Sequence, residues 1–129
     1  MKKPHLWKGL EATRSRRFTA AEIAEYRELS GDVGLVWNGI PGPLLAGMIS
    51  DLLGTELPGE GTMWMKQRMS FPAPAPLGEP VDAVVEVVRL RPDKNLVNLL
   101  TTCRCGDAVV LAGEALVLVP DLAGRIAGE

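Results

Sequence analysis

Few side chains in this sequence can carry acid–base chemistry in a fixed setting, and Asp32 is the first of them. It stands in Ser30-Gly31-Asp32, after one helical pattern and ahead of a second, strongly apolar one. A carboxylate at the end of a helix and near the start of a buried one is partly desolvated, which raises its pKa toward the range of a general base. The same position also suits a plain turn, because aspartate bonds locally to its own backbone. Gly42 is the second candidate, through its backbone. It lies between Pro41 and Pro43, where a helix is expected to start. An N–H in the first helical turn lacks an intrahelical partner and sits at the positive end of the dipole, so it can hold an oxygen that becomes an oxyanion. A sharp turn between two prolines is the structural alternative.

Other reactive residues are sparse. The only histidine, His5, lies near the N-terminus and reads as a solvated side chain. Cys103 and Cys105 are two apart in a strand-like stretch, so both point to one face without the geometry of a good disulfide. They read as reduced packing residues, since a zinc site wants about four ligands. Neither a metal nor a cofactor is expected.

The elements that must position Asp32 and Gly42 follow from patterning. Residues 10–18 alternate as a first strand. Thr19 and Glu22 then have the spacing of a capping box, and Phe18 and Ile23 that of a hydrophobic staple, so a helix should run to about Ser30 with Ile23, Tyr26 and Leu29 in one buried stripe. Residues 43–53 form a second helix, with Pro43 at its first position and Gly54 just past its end. It is apolar nearly all round, so other structure must wrap it. Residues 62–71 make a strand with Met63, Met65, Met69 and Phe71 on one face, and those methionines, with Met48, read as core-filling. Residues 81–91, 95–105 and 108–119 follow as strands joined by short turns, which predicts adjacent antiparallel hairpins. This order is α+β, with one antiparallel sheet curling around one helix: the hotdog arrangement.

With 129 residues the chain fits a single domain, residues 1–9 forming an N-terminal extension. Apolar residues make up 47% and charged residues 23%, a globular composition that excludes disordered and disulfide-stapled classes. The net charge is −2, and the first seventeen positions carry six Lys or Arg against one Glu. The acidic remainder argues against nucleic-acid binding, which needs clustered Lys and Arg. No run is long enough to span a membrane and no secretory signal is visible, so a cytoplasmic protein is expected.

The residues Phe18-Thr19-x-x-Glu22-Ile23, Leu29-Ser30-Gly31-Asp32, the run from Ser50 to Thr62, Met69-Ser70-Phe71, Pro76-Leu77-Gly78-Glu79, Arg91-Pro92-Asp93-Lys94 and Gly113-Glu114-Ala115 together resemble the MaoC-like hydratases and dehydratases. That family includes the (R)-specific enoyl-CoA hydratases. The resemblance covers residues 18–120 and implies the hotdog fold. It also implies an acyl-CoA or acyl-carrier-protein thioester as substrate, and a dimer with itself or with a related hotdog chain. The family's active stretch reads Asp-x-Asn-Pro-x-His, followed by an overhanging loop and a His-Gly step into the central helix. Asp32 matches its aspartate. The chain then departs: Asn-Pro-x-His is missing, about a dozen residues of the overhang are absent, and Pro41-Gly42 stands where His-Gly is usual. By the same resemblance Thr62 and Gln67 lie near the substrate pocket. Lys66, Arg68, Arg89 and Lys94 could meet coenzyme A phosphates.

A second, shorter resemblance joins Asp32-Val33-Gly34-Leu35-Val36-Trp37 to the Asp-Pro-Ala-Gly-Ile-Val-aromatic stretch of hotdog acyl-CoA thioesterases. Those use the aspartate and a helix-start N–H without a histidine, and the likeness makes Trp37 a substrate-side residue. Three functions stay open: a hydratase with a degenerate site, a thioesterase using Asp32, and a non-catalytic thioester-binding subunit.

Overall fold

Alternation of β-branched and polar residues sends every second side chain to one face, and five such segments assemble here into one antiparallel sheet. The computed structural model describes residues 5–29 and 39–126. Its elements are β1 (Glu11–Arg16), α1 (Ala20–Leu29), α2 (Gly42–Thr55), β2 (Met63–Ser70), β3 (Val81–Arg91), β4 (Leu96–Cys105), β5 (Ala108–Leu118) and a short 3-10 turn at Leu122–Arg125. Strand order across the sheet is β1-β3-β4-β5-β2. The chain therefore passes β5 and β4 on its way from β2 to β3, through the proline-punctuated residues 71–80. These prolines connect two strands of one sheet and do not separate domains.

One face of the sheet carries the core. Val81, Ala83, Val85 and Val87 of β3, Val97, Leu99, Thr101 and Cys103 of β4, and Leu111, Ala115 and Val117 of β5 are buried there. Against them lie Leu45, Met48, Ile49, Leu52 and Leu53 of α2. This is the hotdog arrangement, with α2 crossing β3 and reaching β1, β4 and β5. Gly113 is what lets β2 close on β5. A Cβ there would lie 1.9 Å from the Arg68 carbonyl oxygen, so any side chain would push the edge strand away.

The capping box forms as its spacing predicts. The Glu22 N–H donates to Thr19 Oγ1 and the Thr19 N–H to Glu22 Oε1, each at 3.1 Å. That backbone bond first, then the Arg16 guanidinium beside it, lowers the Glu22 pKa below the usual carboxylate range. Phe18 and Ile23 are both buried, as a staple requires.

Several expectations are corrected. The stripe on α1 is shorter than its period suggested, because Leu29 is 81% exposed and only Ile23 is buried. The second helix continues past Gly54 to Thr55, and the stop comes at Pro58 beyond it, which cannot supply the next helical N–H. Nor is that helix wrapped all round. Pro43, Gly47, Ser50, Asp51 and Gly54 form an exposed stripe, tolerated because these residues are small or polar. In β2 a bulge makes Met65 an extra residue between the Trp64–Val117 and Lys66–Leu116 pairs. The bulge reverses the side-chain phase, so Met63 faces away from Met69, and Met63 and Met65 are exposed rather than core-filling.

The N-terminal segment is not a detached extension over its described part. Leu6 is fully buried, its N–H donates to the Arg125 carbonyl at 2.6 Å, and it bridges to Ile126. The Gly9 N–H donates to the Val87 carbonyl. Both cysteines are free and buried on one face. Burial, with the Cys105 thiol nearby as a lesser cause, pushes the Cys103 thiol up to about 12, and burial also raises Cys105.

Candidate active site

Two prolines shape the start of α2 into a single-donor terminus. A helix leaves its first N–H groups without intrahelical partners, yet Pro41 and Pro43 have none to leave. The Leu44 N–H is used up on the Pro41 carbonyl at 3.0 Å. Pro41 caps the helix in an extended conformation with no side-chain bond. What remains is the N–H of Gly42, in a buried residue, with no acceptor among the described residues. The helix dipole favours negative charge at this point. The arrangement can polarise one carbonyl oxygen.

The residues just before this terminus are anchored to the β2–β3 connector. The Ile40 N–H donates to the Ala75 carbonyl at 2.8 Å. Gly39 takes a positive φ of 113°, and a Cβ there would stand 2.1 Å from that same carbonyl oxygen, so the approach needs glycine. Behind the anchor lies an apolar cavity of about 190 Å³, walled by Ile40, Leu45, Phe71, Ala73, Pro74, Ala75 and Val110. Val110 reaches this wall because it is the unpaired residue of a β5 bulge, between the Cys103–Leu111 and Arg104–Val109 pairs. Roomier depressions of about 400 and 390 Å³ lie elsewhere, over β2 and β5 at Arg68, Leu100 and Glu114 and beside α1 at Phe18, Ile23 and Leu77. Neither has a wall residue from α2.

The remaining sequence candidates are not gathered at this point. Asp32 and Trp37 lie outside the described residues. Thr62 sits beyond the far end of α2, where its hydroxyl donates to the Gly59 carbonyl at 2.8 Å. Gln67 lies on the helix side of β2. Its Nε2 donates to the Arg68 carbonyl at 2.7 Å and to Thr101 Oγ1 at 3.2 Å, which leaves Oε1 buried and unpaired. Lys66, Arg68, Arg89 and Lys94 are all exposed, on β2, on β3 and in the β3–β4 turn. His5 is exposed and joined through Leu6 to Arg125, whose Nη2 donates to the Pro58 carbonyl at 2.5 Å. That series of contacts leads to Pro58, just past the C-terminal end of α2 and away from Gly42. No cluster of three potential metal ligands occurs among the described residues. The cavity walls were not singled out from sequence; the one signal was the prolines that hold residues 71–76 extended.

Comparison with known proteins places this architecture. An (R)-specific enoyl-CoA hydratase of Aeromonas caviae is 37% identical over 126 residues, covering 87% of this chain and 94% of the relative. The chain belongs to the (R)-specific enoyl-CoA hydratase family. No family profile matches it. A solved (R)-hydratase from A. caviae superposes with a TM-score of 0.81 at 38% identity, over 89% of this chain and 98% of that one. A 3-hydroxybutyryl-CoA dehydratase of Methylorubrum extorquens is 49% identical over 75 residues, 58% of this hydratase-family chain. The chain spans about half that relative's length, 48%. A fluoroacetyl-CoA thioesterase structure, at 14% identity and a TM-score of 0.67 over 92% of each chain, shares the hotdog fold alone. No described residue of this hydratase-family chain pairs with the outer edge of β2.

Proposed function

We propose that this protein binds 2-enoyl or 3-hydroxyacyl thioesters, carried on coenzyme A or an acyl-carrier protein, in a hydratase-type site that has lost part of its acid–base machinery. The single observation that carries this reading is the Gly42 N–H at the buried start of α2, which has no acceptor among the described residues, in a chain of the (R)-specific enoyl-CoA hydratase family. The thioester oxygen accepts from Gly42. As water adds to C3 of the enoyl group, charge moves onto that oxygen, where the N–H and the helix dipole stabilise it. Asp32, the one carboxylate in the segment between α1 and α2, takes the proton from the attacking water. Without a second protein acid, C2 takes its proton from solvent water and Asp32 releases the one it accepted back to solvent, which completes the addition.

A second acid–base group is missing from the chain itself. Asp32 is followed by Val33-Gly34-Leu35-Val36-Trp37 in place of the family's Asn-Pro-x-His, and His5 is tied to the wrong end of α2. Loss of one such group costs on the order of 10²–10⁴ in rate. The isolated chain is therefore a slow hydratase, and a histidine-bearing hotdog partner completes it. A second copy of this chain, or the histidine-bearing relative in its place, docks on β2, an edge strand whose Met63, Trp64 and Met65 are exposed, because pairing removes an open edge. No described helix is long and apolar enough to cross a membrane.

The test is incubation of the purified chain with enoyl-CoA and acyl-CoA thioesters, following double-bond absorbance and free thiol together. Crotonyl-CoA should be bound and hydrated at least about a hundredfold more slowly than by a histidine-bearing relative. Ordinary hydratase turnover contradicts the degenerate site, and thiol release as the main reaction favours a thioesterase.

A further inference from the structure

β2 is the open edge of the sheet, and its first three residues, Met63, Trp64 and Met65, are 59%, 37% and 53% exposed. We propose that Met63 and Met65 are a paired oxidation site, where a hydroperoxide converts each thioether to a sulfoxide and thereby keeps a second copy of this chain from docking on β2. The inference rests on the edge-pairing reading above and adds a chemical control over it.

Exposure decides which sulfur atoms a peroxide can reach. Among the described methionines Met48 is 3% exposed and Met69 is half-buried against the core, whereas more than half of Met63 and of Met65 lies in solvent. The cysteines do not compete. Both are buried, and burial raises both thiols, so the reactive thiolate is withheld. The two exposed thioethers owe their position to the bulge. Met65 is the residue without a partner on β5, and the reversed phase turns Met63 off the face that holds Met69. They flank Trp64 on a strand that has a neighbour on one side only.

The chemistry balances with a peroxide alone. A sulfur–oxygen bond forms as the O–O bond breaks; the sulfur gives up two electrons, and hydrogen peroxide leaves as water. A flexible apolar side chain becomes a polar one with an acceptor oxygen. On the free edge that oxygen is hydrated. Covering the strand strips its water away, and within the trio two sulfoxides share a single side-chain donor, the Trp64 indole N–H. Oxidation therefore reaches the separated chain and holds it separate, until reduction of the sulfoxides restores the apolar edge.

The experiment treats the full chain with hydrogen peroxide, locates the added oxygen by mass spectrometry of its peptides, and measures the dissociation constant of the pair by light scattering across a dilution series. Met63 and Met65 should take up oxygen before Met48 and Met69, and faster in dilute than in concentrated protein, because pairing covers them. The doubly oxidised chain should pair about tenfold or more weakly. Methionine sulfoxide reductases should reverse the loss. A double variant, Met63→Leu with Met65→Leu, keeps the apolar volume without the sulfur, and its pairing should stay within about twofold before and after peroxide. An oxidised parent that pairs as tightly as the untreated one overturns the inference and leaves the edge-pairing reading intact. So does a double variant that loses pairing to peroxide as the parent does. A parent that is monomeric before treatment overturns both.

Discussion

Ile40 and Ala75 are joined by a 2.8 Å backbone hydrogen bond that fastens the start of α2 to the connector between β2 and β3. Thirty-five positions separate the two in sequence, yet this bond fixes where the Gly42 N–H sits over the sheet. Gly39→Ala tests the arrangement. A methyl group placed 2.1 Å from the Ala75 oxygen, on a residue at φ 113°, should cost about 2–3 kcal/mol of stability in urea unfolding. It should weaken acyl-thioester binding in the protein that remains folded.

Gly113→Ala should be at least as severe, about 3 kcal/mol, because the added Cβ meets backbone at 1.9 Å and no side chain can yield. Urea unfolding measures it, and a stability within about 0.5 kcal/mol of the parent would refute the close approach of β2 and β5.

The cysteines make a pH prediction. A thiol with a folded pKa raised from 9.0 to about 12 keeps its proton in the folded chain while the unfolded chain loses it. Stability should therefore be unaffected by this group below pH 9 and fall as pH rises from about 9 toward 12. Thermal unfolding at pH 8 and pH 10.5 should show a smaller drop for Cys103→Val than for the parent. In the native protein neither thiol should react with a disulfide reagent at pH 8.

Much of this fold could be read in the residues themselves. β3 matches its expected bounds because Val81, Ala83, Val85 and Val87 alternate with polar neighbours, and the cap at Thr19 and Glu22 needs only local spacing. What failed was non-local. The bulge at Met65 depends on pairing with Val117 and Leu116, so alternation alone put Met63 and Met69 on one face. Leu29 has helical phase but nothing described packs over it. The helix start at Gly42 was legible because prolines advertise one, whereas the cavity at Ile40 and Leu45 exists only once residues 71–75 and the β5 bulge come together. Asp32 and Trp37 were legible only by type and spacing.

The exposed edge of β2 predicts association. Light scattering at micromolar concentration should give a mass near twice the 13.9 kDa of one chain. Trp64→Lys, which puts a charge on the open edge, should weaken pairing about tenfold or more. A monomer in the parent would contradict the docking surface.

The most direct measurement uses the sequence itself as an address. Pro41-Gly42 and Pro58-Gly59 are the two Pro-Gly steps in the chain, so labelling proline carbonyls with ¹³C and glycine nitrogens with ¹⁵N selects two amide signals. Gly59 already donates to the Leu53 carbonyl at the far end of α2 and serves as the internal control. On saturation with butyryl-CoA the Gly42 proton should move downfield as it bonds the thioester oxygen, while Gly59 stays in place. Saturation that leaves Gly42 unmoved, or no saturation by any acyl thioester, would contradict a thioester site at the start of α2.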